Sequence, residues 1–583
     1  MKNHSVKPLC LAIGLALAGP VSAATVDFSG SNIYMKFLDG NMRGANNGSI
    51  DTNSGTDQGQ FTEMNLMFKS TVSSKVEMGG RIQSRSSAAY WTEFGGFGKE
   101  NAAGGYVNNE INHQSFMKLR GAYIELSPGY SWLSQARLGS SDWGMFDPFT
   151  VGKVRYIDRD NYKGFYFKGP MSAGSTWELA RISLPTYLQL GWGGPGTGGA
   201  DSTQFNEAIY IAQFKMPVGP AKIAASYQTF IDHALSNNNG YAGVDTMVET
   251  RNTVFMLKAD GSLLDGVDVR GAFYRSSFNL TPGIVPAWGF NSPSGNKNDG
   301  ALKLDADLNL VDGLALNLQY FNIGAGYHSI GAARRESDVL LTEGSESAWY
   351  NWGGGGMWAG GATADYTQSA TNVWMTDNAY MDFNESPAQS ILGWKGLTAL
   401  AKLDMADMPM SLEYTRVSYN SNWQNYPATG PLTGGQFGIA TNQDRSTNIF
   451  VFKLNHNFDM MGGVDTNLKI KRVDDKDNVS ATLATDDRSA LDNGVSVSAG
   501  NQLTGDLYGT VSYGRYIRDV KVGANQFNSS KSIYGLKFAY NLPGFELGLL
   551  SQWIMGHGNP SQAVGADTKI HQYRMKAYAQ VNF

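Results

Sequence analysis

The chain has 583 residues, of which 42% are hydrophobic and 17% charged, and its net charge is −5. So small a charge over this length excludes bulk attraction to nucleic acid. With 70 glycines, 12% aromatic residues and no long apolar run beyond the N-terminus, the composition excludes a bundle of membrane helices and suits many strands joined by turns.

The N-terminus carries an address. Lys2 and Lys7 flank the start of an apolar run from Leu9 to Gly19, and Pro20, Val21, Ser22 and Ala23 follow. This is the pattern of a secretory signal peptide, residues 1–23, with cleavage expected after Ala23. The run is too short for a bilayer span, which takes about 20 residues. The only cysteine, Cys10, lies within it. The mature chain, 24–583, is therefore expected to lack disulfides, thiolate metal sites and attached c-type haem.

Strand patterns then run to the C-terminus. A first strand is expected near 25–37, and hairpins follow at 61–72 with 76–85, 115–127 with 131–140, and 161–169 with 175–184. Further pairs are 205–216 with 220–232, 252–259 with 267–274, 302–310 with 314–323, and 397–405 with 409–420. The last are 446–457 with 463–474, 494–502 with 505–516, 532–541 with 545–553, and a closing strand at 570–583. The clearest hairpin sets Leu302, Leu304, Ala306, Leu308 and Leu310 against Lys303, Asp305, Asp307 and Asn309. Asp312-Gly313 turns the chain there, since glycine accepts the positive φ of tight hairpin turns. In the closing strand Tyr573, Met575, Ala577, Ala579, Val581 and Phe583 alternate with Arg574, Lys576, Tyr578, Gln580 and Asn582. Successive strand residues face opposite sides, so each such segment has one apolar and one polar face.

The signal peptide, the alternating hairpins and the terminal Phe583 together resemble Gram-negative outer-membrane β-barrel porins, across the whole mature chain. The resemblance implies an all-β fold: a transmembrane, antiparallel, up-and-down barrel with short periplasmic turns and long extracellular loops. The pairs sum to about 22 strands, within the even counts of bacterial barrels, and boundary error leaves a range of about 18 to 24. It also implies that Phe583 is an assembly signal read by the barrel-assembly machinery. The expected surroundings are outer-membrane lipid and lipopolysaccharide. A homo-oligomer is left open.

A barrel this wide leaves an aqueous channel unless something fills it. Barrels of similar size in siderophore transporters carry a plug before the first strand, and here the first strand is expected directly after the cleavage site. Narrowing would then fall to loops. One candidate is the constriction loop 138–159, with Asp142, Trp143, Asp147, Lys153, Arg155 and Arg159. Another is the aromatic and glycine-rich loop 324–394, with Trp349, Trp352, Trp358 and Trp374; loops beyond about 12–15 residues are usually functional or disordered.

Alternation assigns charges to the lumen. The expected basic positions are Lys75, Arg81, Arg85, Lys118, Arg120 and Arg137 on early strands, and Lys469, Lys471, Lys537, Arg574 and Lys576 on late ones. Closure would make these one basic arc. The middle strands carry Asp268, Asp305, Asp307, Asp404 and Glu413, mixed with Arg270, Lys303 and Lys402. Such a wall either orients polar solutes or merely pairs its charges across strands. Tyr123, Tyr414, Tyr540 and Trp553 are expected as girdle or wall residues. None of the seven histidines forms a metal pair at helical spacing, and no nucleophile-elbow motif occurs, so neither an enzyme nor a metal or other cofactor is expected. Acidic loop residues Asp377, Asp382 and Glu385 are a weaker candidate for calcium. The reading is a channel for small hydrophilic solutes with an anionic or zwitterionic preference. Alternatives are an exporter of anionic polysaccharide, a sheath for a partner such as a multihaem cytochrome, and a loop-presenting adhesin.

Overall fold

A computed structural model describes residues 25–40, 59–85, 116–151 except 142, 163–184, 207–232, 250–280 and 296–332 except 325, 328 and 330. It further describes 339–344, 393–405, 408–420, 444–459, 462–478, 488–522, 525–558 and 568–583. The expected signal peptide, Asp142, Lys153, Arg155, Arg159, Trp349, Trp352, Trp358, Trp374 and the acidic trio of the long loop lie outside these residues.

A short strand, β1 (Val26–Asp27), precedes the barrel. The wall then follows as β2 (Asn32–Gly40), β3 (Gly59–Ser73), β4 (Val76–Arg85), β5 (Phe116–Leu126), β6 (Gln135–Ser140), β7 (Lys163–Pro170) and β8 (Thr176–Leu184). Next come β9 (Glu207–Val218), β10 (Ala221–Asp232), β11 (Thr250–Leu264), β12 (Val267–Leu280), β13 (Asn296–Val311), β14 (Leu314–Ile323), β15 (Trp394–Met405) and β16 (Met408–Tyr419). The wall ends with β17 (Asp444–Phe458), β18 (Val464–Asn478), β19 (Arg488–Thr504), β20 (Leu507–Val522), β21 (Asn525–Leu542), β22 (Phe545–Gly558) and β23 (Thr568–Asn582). Each strand pairs antiparallel with the next, and β23 pairs with β2, which closes 22 strands into a barrel. Closure leaves no unpaired edge, which is what lets a sheet cross lipid.

All the expected hairpins form. The first predicted strand is broken: a turn at Phe28–Ser31 separates β1, which lies on β3, from β2, and Ser31 Oγ bonds the Phe28 and Met67 carbonyls at 2.6 and 3.2 Å. Several strands run further from the short turns than alternation alone suggested, for example β21 and β13. Their added residues are mostly polar, so hydropathy does not mark them, yet the backbone ladder continues.

One face of the wall carries exposed apolar side chains, among them Met78, Ile124, Leu179, Phe255, Phe273, Leu397, Leu412, Val497, Leu549 and Met575. Single-residue alternation puts polar residues on the other. Tyr414, Tyr540 and Trp553 lie on the apolar outer face. Toward the long-loop end that face changes character: Arg181, Arg275, Arg416, Arg472 and Arg515 each follow an outward apolar residue by two positions. A closed barrel with an outer apolar belt is a transmembrane barrel of the outer-membrane type.

Candidate functional site: the lumen and its inward loops

The polar interior carries apolar patches, among them Phe321, Trp394, Val417 and Ile449 on β14–β17 and a second on β7–β10. Tyr166, Ala180, Ile182, Ile209, Ile211 and Phe230 occupy consecutive inward positions of β7 to β10, all at most 4% exposed. They are covered by the loop after β6. Trp143, Phe146 and Val151 join them in one cluster. The wall makes room for this: Gly139 pairs with Gly164, and a Cβ on Gly164 would lie 3.1 Å from the Trp143 ring. Trp143 itself takes a left-handed backbone, φ 55°. Burying a large apolar side chain contributes about 1.5–3 kcal/mol, so this patch holds the loop inside the barrel.

Asp147 and Pro148 shape the loop. The Asp147 side chain accepts from the Phe149 N–H at 3.0 Å, and its carbonyl accepts from the Thr150 and Val151 N–H groups at 2.8 and 2.9 Å. That is one helical turn with Asp as cap and Pro at its first position. The carboxylate, 6% exposed, also accepts from the Tyr274 hydroxyl at 3.0 Å and pairs with Lys258 at 3.4 Å. Phe149 stacks on Tyr274, with ring centroids 4.8 Å apart.

The start of the 324–394 loop turns inward as well. Tyr327 donates its hydroxyl to the Phe149 carbonyl at 2.9 Å, and Ser329 donates to the Thr150 carbonyl at 3.0 Å. Burial, helped by the Asp147 charge, pushes the Tyr327 phenol well above its usual range. Further along, the Leu341 N–H donates to Gln319 at 2.7 Å. Thr342 donates its hydroxyl to Glu413 at 2.6 Å, and the Glu343 N–H reaches both Glu413 oxygens at 3.0 and 3.1 Å. The Glu343 carboxylate ends between Lys453 and Lys469, the latter at 2.7 Å. Burial alone would raise this carboxyl, but hydrogen bonds from Lys453 and Lys469 and the charges of Lys469 and Lys471 outweigh it and hold it below the usual range.

The expected lumen charges fall as follows. Arg81, Arg137, Lys469, Lys471, Lys537 and Lys576 occupy inward register positions, as do Asp268, Asp305, Asp307, Asp404 and Glu413. Backbone pairing sets Arg85 opposite Glu63, Lys118 opposite Gln83, Arg120 opposite Arg81 and Arg574 opposite Gln552. Lys75 departs from expectation: it sits in the exposed two-residue turn between β3 and β4, because the strand pairing shifts register at Thr71/Ser73 and ends there. Tyr123 lies on the inner wall, where it donates to Glu77 at 2.9 Å and carries the Arg137 guanidinium 3.8 Å above its ring.

Much of the wall charge is paired. Lys69 meets Glu77 at 2.9 Å, Arg137 meets Glu125 at 3.1 Å, Lys215 meets Glu178 at 3.0 Å, and Arg270 meets Asp307. Asp305 accepts from Gln319 at 2.5 Å. The basic arc is therefore partly neutralised by its own neighbours. Glu178, Lys453 and Glu343 were not singled out from the sequence. Alternation alone identifies Glu178 and Lys453 as inward, whereas Glu343 lies on a loop where no periodicity operates.

Beyond the inward loops the wall keeps a groove of about 420 Å³, lined on β17–β22 by polar residues including Lys453, Asn467, Lys469, Ser496 and Gln552 and by apolar ones including Val497 and Ile533. No group of three or more metal-ligating side chains occurs among the described residues.

No family model matches the chain, and no curated protein matches it in sequence. Among solved structures it is similar to BauA, the ferric preacinetobactin receptor from Acinetobacter baumannii, at 9% identity over 95% of this chain and 80% of that one, with a TM-score of 0.42. It is also similar to the outer membrane channel DcaP of Acinetobacter baumannii, at 10% identity over 97% and 100% of the two chains and a TM-score of 0.25. A third is the anion-selective porin from Comamonas acidovorans, at 12% identity over 72% and 96% and a TM-score of 0.27. Likeness at this level assigns no activity; the class rests on the chain's own closed barrel and apolar belt.

Proposed function

We propose that the protein is an outer-membrane channel through which small hydrophilic solutes diffuse, narrowed by two of its own loops. The observation that carries this is the inward placement of segment 143–151 and of the described residues of 324–332 and 339–344, bonded to one another and to the inner wall of 22 strands. A polar lumen of this strand number suits water and ions. The segments narrow it along one side and leave the groove on β17–β22 lined with hydroxyl, amide and lysine groups. Lysines there favour anionic solutes over cationic ones. On the outside, the arginine collar near the long-loop end would meet anionic headgroups such as those of lipopolysaccharide, in keeping with charge-assisted Arg–phosphate bonding. The protein's own loops inside the barrel disfavour the sheath reading, since they occupy space a protein partner would need.

Liposome swelling tests the reading. Proteoliposomes are expected to admit gluconate faster than an equally sized cationic solute. Swelling no faster than protein-free vesicles, from barrels shown to be folded, would contradict it.

A further inference from the structure

We propose that Lys453 and Lys469 form a carboxylate-binding site for the solute, and that Glu343 fills it as an internal stand-in which the solute's own carboxylate displaces. The proposal rests on the channel reading and names its substrate class: small hydroxylated carboxylates, of the sugar-acid kind.

Lys453 and Lys469 are direct partners across the β17–β18 ladder. Like charges directly opposite each other destabilise a sheet pair, and Lys471 adds a third positive charge two residues away on the same face. The arrangement therefore favours an anion between the first two, and the Glu343 carboxylate supplies one. The segment does not depend on that carboxylate alone: the Glu343 backbone N–H and the Thr342 hydroxyl also anchor it, through the buried Glu413. The side chain can swing away while the segment stays anchored.

The two lysines also line the 420 Å³ groove. That volume falls within the roughly 300–1,000 Å³ of small-ligand sites. Asn455, Asn467, Ser496, Ser498 and Gln552 share its wall and offer donors and acceptors to hydroxyl groups. The two lysines thus suit a carboxylate, and the hydroxyl and amide side chains beside them suit hydroxyl groups. Only an acid with hydroxyls would use both.

The test is calorimetric titration of the full-length folded barrel in detergent with gluconate, with glucose as the uncharged control. Glu343→Gln keeps the backbone anchor and removes the competing charge, so gluconate is expected to bind about tenfold more tightly or better, a gain of about 1.4 kcal/mol. Glucose affinity should not change. Glu343→Ala should give the same gain, and Lys453→Gln with Lys469→Gln should abolish gluconate binding. Unchanged or weaker gluconate binding by both Glu343 variants, or an equal gain for glucose, would overturn the proposal. Bilayer conductance of the same preparations separates the two ideas: folded barrels that never conduct would sink the channel reading, while the titration still decides the site.

Discussion

Asp147 is the residue on which the inward loop after β6 turns. Its carboxylate caps the turn that follows and receives both Tyr274 and Lys258 from the wall. Asp147→Ala would strip the cap and leave the Tyr274 hydroxyl, fully buried, without this acceptor. An unsatisfied buried donor costs about 1–3 kcal/mol. The expected outcome is a looser loop, visible as larger or noisier single-channel steps than wild type. Glu343 gives a pH dependence with a definite sign. Its folded-state pKa lies below the usual value, so its contribution is fully present at neutral pH and is lost only as pH falls through that lower value. Conductance should hold steady from neutral pH down through the usual glutamate range and change only below it. A change centred near neutral pH would assign the effect to another group. Trp143 and Asp147 were legible in the sequence, because aromatic and charged residues in a loop of a wide barrel have few reasons to be there. Glu343 was not, because its partners lie on β17 and β18, more than a hundred residues away.

At the scale of elements, period-2 alternation revealed every hairpin, since each strand has lipid on one side and water on the other. It failed where polar residues prolong a strand, as in β21, and where residues 127–134 precede β6 without pairing as a full strand. A further signal was present in β9, where Ala208, Ile209, Tyr210, Ile211 and Ala212 are apolar on both faces. A strand that is apolar inward must be covered from within, and this one lies under the loop after β6. Close packing between strands also creates a test. Tyr578 on β23 lies over Gly548 on β22 and donates its hydroxyl to Glu546; a Cβ at Gly548 would come 2.1 Å from its ring. Gly548→Val should displace Tyr578 and cost about 1–3 kcal/mol, as overpacking does. The measurement is the temperature at which the barrel loses its folded mobility on a gel. Adding Tyr578→Ala to Gly548→Val should recover part of the loss.

For the whole molecule, closure depends on β23 meeting β2, and Phe583 extends that seam with a hydrogen bond from its N–H to the Ser31 carbonyl at 3.0 Å. The ring is 54% exposed, so it does little for the finished fold. Deleting Phe583 removes one backbone hydrogen bond, worth about 0.5–1.5 kcal/mol. If the residue is an assembly signal, the deletion should sharply lower the amount of barrel inserted in cells. Protein refolded in detergent should keep nearly the wild-type unfolding temperature. An equal loss in both settings would make Phe583 a structural residue only.

The central claim is that this barrel conducts, and that its own loops set the width. Single-channel recording in a planar bilayer under a salt gradient tests it directly, with wild type beside a variant in which residues 143–151 are replaced by a glycine-serine linker. Stable steps in the wild type, an anion-selective reversal potential, and larger steps in the variant are the expected result. Folded barrels that never conduct, or a variant whose steps match the wild type, would contradict it.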